Sequence, residues 1–408
     1  MEKLGGGVWV LLGQALQSLV NFATVMALGY WAGQEELGVF ALGFSFCFLA
    51  ISLGDTLVAT PYTYFQSQEG EGRRLYFSAA MLSNLALVSV VVAFFWIGLC
   101  VGLYSLSVLG LVLPFALIGL VYREFFRRHL YVADKLARSF RFDLLSSAIQ
   151  FGLVSALILF EALSAVTAFA VIACASLLPT FWGVYQERVF WGWHSWADSW
   201  QRAQSFARYG RWLVLGGGCH VASLQLYPWL ALLGGGLAQV GGFAACMALT
   251  NLVNPLLVGA TNYLRPQFMR RYAQYADKGF VAYVVRWGVV FALPAVAYLL
   301  VVLLFGGNLL VLLYGDAYFA GANALSFMGF GVVAIALSAP LQLAFLAMRV
   351  PVTNLIYHGT ALLLLLSLAA VFTENLSLPM LGIFYGGVNF AAFAVLLVLF
   401  WWRVRARC

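Results

Sequence analysis

Apolar residues run through this chain in long blocks, and polar ones are confined to short intervals between them. A helix needs about 20 mostly apolar residues to cross the hydrocarbon core of a bilayer. On that measure the blocks fall at 8–32, 37–60, 76–99, 105–122, 144–160, 164–186, 212–234, 237–262, 281–304, 321–346, 353–371 and 379–402. The charge-free stretch 75–121 is 47 residues long and as one helix would reach about 70 Å, so it holds two crossings. Twelve membrane helices are expected, and the fold class is all-α and polytopic. The N-terminus, MEKLGGGVWVLLGQ, shows no cleavage site of the signal-peptide kind before the first block and reads as an uncleaved first helix.

Composition agrees with a chain solvated by lipid. Of 408 residues 63% are hydrophobic and 9% charged, too little charge to cover a water-facing surface of this size. The six cysteines lie in expected spans or at the terminus without metal-ligand or redox spacing, and read as small hydrophobes.

The distribution of charge fixes a topology. With twelve spans, all 22 Lys and Arg residues fall on one side, 21 in connections and termini of one parity and Arg286 six residues into the ninth span from that same side. The opposite connections carry Glu35, Glu36, Glu161, Asp316 and Glu374 and no basic residue. A miscounted helix would reverse the pattern downstream, and it never reverses. Positive loops stay in the cytoplasm, so both termini are expected there. The densest basic stretch, YREFFRRHLYVADKLARSFRFD at 122–143, is expected to connect helices 4 and 5, with topology as its main role. In WGWHSWADSWQRAQSFARYGR (191–211), Trp193, Trp196 and Trp200 share one helical face, which suits an interfacial helix lying in the headgroup layer.

An offset of 203 residues pairs Gly33 with Gly236, Gly38 with Gly241, Phe40 with Phe243 and Ala41 with Ala244. Each set lies at the turn between the first two helices of its half. The expected organisation is a six-helix bundle over 1–190, a linker over 191–211 and a second bundle over 212–408, related by an axis along the membrane normal.

Polar side chains at membrane depth are costly and mark candidate sites. Helix 1 carries Gln14, Gln17 and Asn21 in one stripe, and helix 8 carries Asn251, Asn254 and Asn262 in another. Helix 7 places His220, Ser223 and Tyr227 on one face. Singly, each amide reads best as a hydrogen bond to a neighbouring helix; together, the stripes favour a wetted cavity. Asp55 reads equally as a cation-coupling acid or as one satisfied by a neighbour. Arg123, Arg211 and Arg265 end helices where anionic headgroups would meet forked donors. No phosphate loop, metal cluster or nucleophile motif is present, so no cofactor, catalysis or nucleic-acid partner is expected. Energy would come from a gradient, of Na+ or H+ or of the cargo itself.

The opening LLGQALQSLVNFATVMALGYWAGQEELGVFALGFSF, with Glu35-Glu36-Leu37-Gly38-Val39-Phe40-Ala41 after its turn, resembles the first hairpin of polysaccharide or O-antigen flippases. These belong to the multidrug/oligosaccharidyl-lipid/polysaccharide exporter superfamily. YGRWLVLGG (209–217) and NLVNPLLVGATNYLRPQFMRRYA (251–273) are similar to its second half. The resemblance implies two six-helix bundles around a central cavity that carries an undecaprenyl-diphosphate-linked glycan from the inner to the outer leaflet. It also implies contact with membrane lipid and with other membrane proteins of polysaccharide assembly. Where family members place Arg or Lys deep in spans, this chain is expected to have none, which shifts headgroup capture to the helix ends. The competing readings are a cation-coupled drug exporter of the same superfamily and a membrane glycosyltransferase or polymerase, the latter disfavoured by short outer loops without Lys or Arg.

Overall fold

A computed structural model describes residues 2–68, 73–102, 104–187, 196–274, 278–350 and 352–405. It is helical throughout. Helix α1 is Glu2–Ala27 and ends in a π-helical turn, Leu28–Ala32. Helix α2 runs through Gln34–Gly54, a second π-helical turn Asp55–Ala59, and Thr60–Gln68. Then follow α3 (Arg73–Val101), α4 (Leu113–Val132), α5 (Leu136–Leu159) and α6 (Ala165–Glu187). The stretch Trp196–Thr250 is helical except at Gly235 and Gly236, which divide it into α7 and α8. Helix α8 continues through a 3-10 turn, Asn251–Val253, into Asn254–Gln274. The series closes with α9 (Lys278–Tyr314), α10 (Ala322–Ala347), α11 (Val352–Val371) and α12 (Leu378–Arg405).

Twelve helices among the described residues match the expected number. Ten helical stretches are long and apolar enough to cross a membrane, one of them, Val214–Gln274, covering both α7 and α8. The helix missing from that set is α4, whose 20 residues include Arg123, Glu124, Arg127 and Arg128. In lipid the backbone must satisfy its own hydrogen bonds, so helices are the expected answer to these apolar blocks.

The chain divides into two compact units, Met1–Val221 and Ala222–Cys408. The repeat seen in the sequence has a counterpart in each unit. Gly33 and Gly236 both take positive φ, +91° and +72°, with extended ψ, a conformation open to glycine and unfavourable for other residues. Three residues further, Glu36 accepts a hydrogen bond from the backbone N–H of Ala165 at the start of α6, 2.6 Å away. At the same offset (36 + 203 = 239), Gln239 donates to the backbone carbonyl of Leu376, just before α12. In each unit, therefore, the second helix ties down the beginning of the sixth. For Glu36 the charge also meets the positive end of the helix it caps.

Two differences from the sequence reading bear on the site. The expected loop across 122–143 is almost entirely helix, because α4 continues to Val132 and α5 begins at Leu136. Only 133–135 connect them, and the backbone turns there through Asp134 at φ +57°. The expected interfacial helix has its first five residues, Trp193 among them, outside the described set. From Trp196 onward it is the beginning of α7. Its buried aromatic there is Phe206, stacked on Phe65 and Tyr76, while Arg202 lies 4.2 Å from the Tyr76 ring centre and Tyr209 stacks on Tyr64. Trp200 is exposed. The first turns of α7 thus dock on α2 and α3 instead of lying free.

Candidate functional site

The densest polar cluster lies inside the N-terminal unit, where α1, α4, α5 and α6 meet. Arg123 stands nine residues before the end of α4, about 14 Å along the helix axis, and its side chain is 6% exposed. One terminal nitrogen donates to Ser146 Oγ on α5 at 3.2 Å, and Ser146 in turn donates to the Ala175 carbonyl on α6 at 2.6 Å. The other lies 3.7 Å from Glu124. Arg127, one turn on, spans from Glu124 at 2.6 Å to the Gln17 side-chain oxygen on α1 at 2.8 Å. Asp143, 3% exposed on α5, faces Arg127, Arg123 and Glu124. The chain of contacts therefore crosses four helices and contains two guanidinium and two carboxylate groups, with no net charge.

Close helix approach makes this arrangement possible. A methyl group placed on Gly13 would stand 2.6 Å from an Asp143 carboxylate oxygen, so the missing side chain at position 13 leaves room for that carboxylate between α1 and α5. Deeper along the same interface, Gln150 donates to Asn21 at 3.2 Å and to Thr24 at 3.0 Å. A second ion pair joins α2 and α4: Arg128 reaches Asp55 at 2.6 Å, with both side chains nearly half exposed. Asp55 opens the π-helical turn of α2, a wider turn of a kind frequent at functional sites. Below the cluster, toward the end of α4, Tyr62 bonds His129 Nδ1 at 2.6 Å within a packed aromatic group that includes Phe77, Phe125 and Phe126.

The expected residues separate into three groups. Gln17, Asn21, Asp55 and Arg123 are brought together in the N-terminal unit, all with hydrogen-bond or ion-pair partners. Gln14 and His220 are exposed, and Tyr227 is buried against Phe243 and Tyr385 in the C-terminal unit. Asn251, Asn254, Asn262 and Arg265 are exposed on α8, with Asn254 donating to Asn251 at 2.8 Å. The Arg211 side chain lies outside the described residues.

Helix α4 does not end with its apolar block at 122 but continues to Val132, so Arg123 and Arg127 stand nine and five residues inside it and not at its terminus. Arg127 also joins Arg123 in the cluster. Glu124, Arg127, Asp143, Ser146 and Gln150 were not anticipated. A signal for them existed: Glu124 and Arg127 are spaced i, i+3, and Arg123 and Arg127 i, i+4, which puts all three within one turn of a helix.

No family model and no curated protein sequence matches the chain. Solved structures do. An inward-facing multidrug resistance MATE family transporter of the MOP superfamily aligns with a TM-score of 0.78 at 15% identity, covering 96% of this chain and 95% of that one. A MOP superfamily transporter from Pyrococcus furiosus aligns with a TM-score of 0.66 at 16% identity, covering 98% and 94%. The chain has the twelve-helix, two-bundle MATE-like fold.

Proposed function

We propose that the protein is a flippase for a polyprenyl-diphosphate-linked glycan, working by alternating access in the bacterial inner membrane with both termini in the cytoplasm. The observation that carries this reading is the pairing of its acids. Asp55, Glu124 and Asp143 lie away from the ends of α2, α4 and α5, and each faces an arginine: Arg128, Arg127, and Arg127 with Arg123. A cationic cargo needs a carboxylate in excess of the cations, and each of these three is already matched by one. Exposed amides at Gln14, Asn251, Asn254 and Asn262 suit sugar hydroxyls, and the exposed Arg265 suits a phosphate.

Fold alone does not choose the cargo. The MATE structure is named for multidrug resistance, whereas the Pyrococcus furiosus transporter is described by a reversed polarity of its binding pocket that suggests a different function. Side chains, then, have to decide, and here they favour the neutral or anionic cargo. Deleting the gene tests it. Sugar-loaded carrier is expected to accumulate on the cytoplasmic leaflet while the assembling enzymes still work, and surface glycan is expected to fall. Unchanged glycan and carrier pools would overturn the reading.

The multidrug name keeps cation-coupled export as the second reading, and Asp55 separates the two. The Asp55–Arg128 pair is half exposed, so its removal should cost less than about 1 kcal/mol of stability. Asp55→Asn is expected to keep glycan export within about twofold of wild type, read as surface glycan per cell. Loss of cation efflux with glycan unaffected would favour the exporter instead.

A further inference from the structure

The N-terminal unit contains a cavity of about 1120 Å³ on the side of α5 and α6 where the basic residues gather. That exceeds the roughly 300–1,000 Å³ of a small-molecule pocket. It spans the first turns of α5 and the last turns of α6, with Phe126 and Leu130 of α4 also lining it, and none of the polar cluster's residues is in that lining. Its floor is apolar, made by Phe126, Leu130, Phe142 and Leu145, and its rim carries Arg138 and Arg141. No acid is among the described residues that line it.

Three details shape the groove. Gly183 has no side chain where a methyl would run into the Phe126 ring, so the floor stays low between the two helices. Arg138 donates to Gln186 at 2.6 Å, which holds its guanidinium at the rim. Trp182 and Tyr185 are 59% and 71% exposed at the mouth, the residue types that favour the boundary between hydrocarbon and headgroups.

We propose that this groove is a binding site for an anionic phospholipid of the surrounding leaflet, acyl chain on the aromatic floor and phosphate between Arg138 and Arg141. The occupant has to be apolar at one end and negatively charged at the other, and it has to lie at headgroup height. A bilayer containing anionic lipid supplies such a molecule at high local concentration, and basic pockets between membrane helices recognise anionic headgroups. The assignment is independent of the cargo, since no residue of the groove belongs to the amide stripes or the paired acids.

Native mass spectrometry of the full chain in detergent tests it, titrating phosphatidylglycerol and phosphatidylcholine with identical acyl chains. The wild type is expected to bind phosphatidylglycerol about 30-fold more tightly, as two basic side chains near the surface would give. Arg138→Gln with Arg141→Gln should abolish the preference, and Leu145→Trp should weaken both lipids by filling the floor. Arg270→Gln with Arg271→Gln, on the other unit, should change neither. Equal binding of the two lipids by the wild type overturns the proposal whatever the variants do. So does an equal loss in the Arg270 and Arg271 variant, which would mean diffuse attraction to a basic surface.

Discussion

Arg127→Gln should lower the apparent melting temperature of the solubilised protein by roughly 10 °C, and Arg128→Gln by no more than about 3 °C. The two arginines are neighbours in sequence and both pair with an acid at 2.6 Å, so the contrast rests on burial. The Arg127 and Glu124 side chains are 18% and 27% exposed, and Arg127 also holds Gln17 on α1. Removing it leaves Glu124 without its closest counter-charge and strips Gln17 of its donor. Breaking a buried pair from one side costs about 3–5 kcal/mol, because the remaining charge stays desolvated. Arg128 and Asp55 are each nearly half exposed, and pairs of that kind contribute about 0.2–1 kcal/mol. Adding Glu124→Gln to Arg127→Gln should recover much of the loss, since the stranded charge is then gone. A double variant no more stable than Arg127→Gln alone would mean that the ion pair is incidental and that Arg127 acts through packing.

That contrast could not be drawn from the sequence, for a physical reason. Hydropathy marks where a helix ceases to be apolar, and an arginine with an acid one turn away looks the same to it as an arginine in a loop. Span 4 was therefore ended at 122, ten residues before α4 stops at Val132. The helix number was legible because apolar blocks of sufficient length can satisfy their backbone in lipid in one way only. The paired turn was legible too, since Gly33 and Gly236 sit where the backbone needs positive φ. Contacts between distant segments were not: nothing local in α1 says that Gly13 makes room for Asp143, or that Ser146 passes a hydrogen bond on to Ala175. The stripe of amides on α1 was legible as a pattern, but not that two of its three members are held by Arg127 and Gln150.

Gly382→Ala should destabilise the C-terminal unit while Gly387→Ala, five residues along the same helix, leaves it as stable or slightly more so. Intrinsic helix propensity favours alanine by about 1 kcal/mol at both positions, so any difference reports packing. A methyl on Gly382 would stand 2.6 Å from the backbone carbonyl oxygen of Ala324 on α10 and 2.7 Å from its Cα. One on Gly386 would stand 2.7 Å from the Phe327 carbonyl oxygen, and one on Gly387 would meet nothing within 4 Å. Gly382 and Gly386 form the G-x-x-x-G spacing that lets two membrane helices touch backbone to backbone. The atoms in the way are main chain, which cannot rotate aside, so the helices have to separate. Overpacking of this kind costs about 1–3 kcal/mol for one methyl. Gly382→Leu should leave no folded C-terminal unit, seen as loss of the monodisperse peak on size-exclusion chromatography, whereas Gly387→Leu should retain it. Equal stability of Gly382→Ala and Gly387→Ala would show that α10 and α12 do not cross this closely in the membrane.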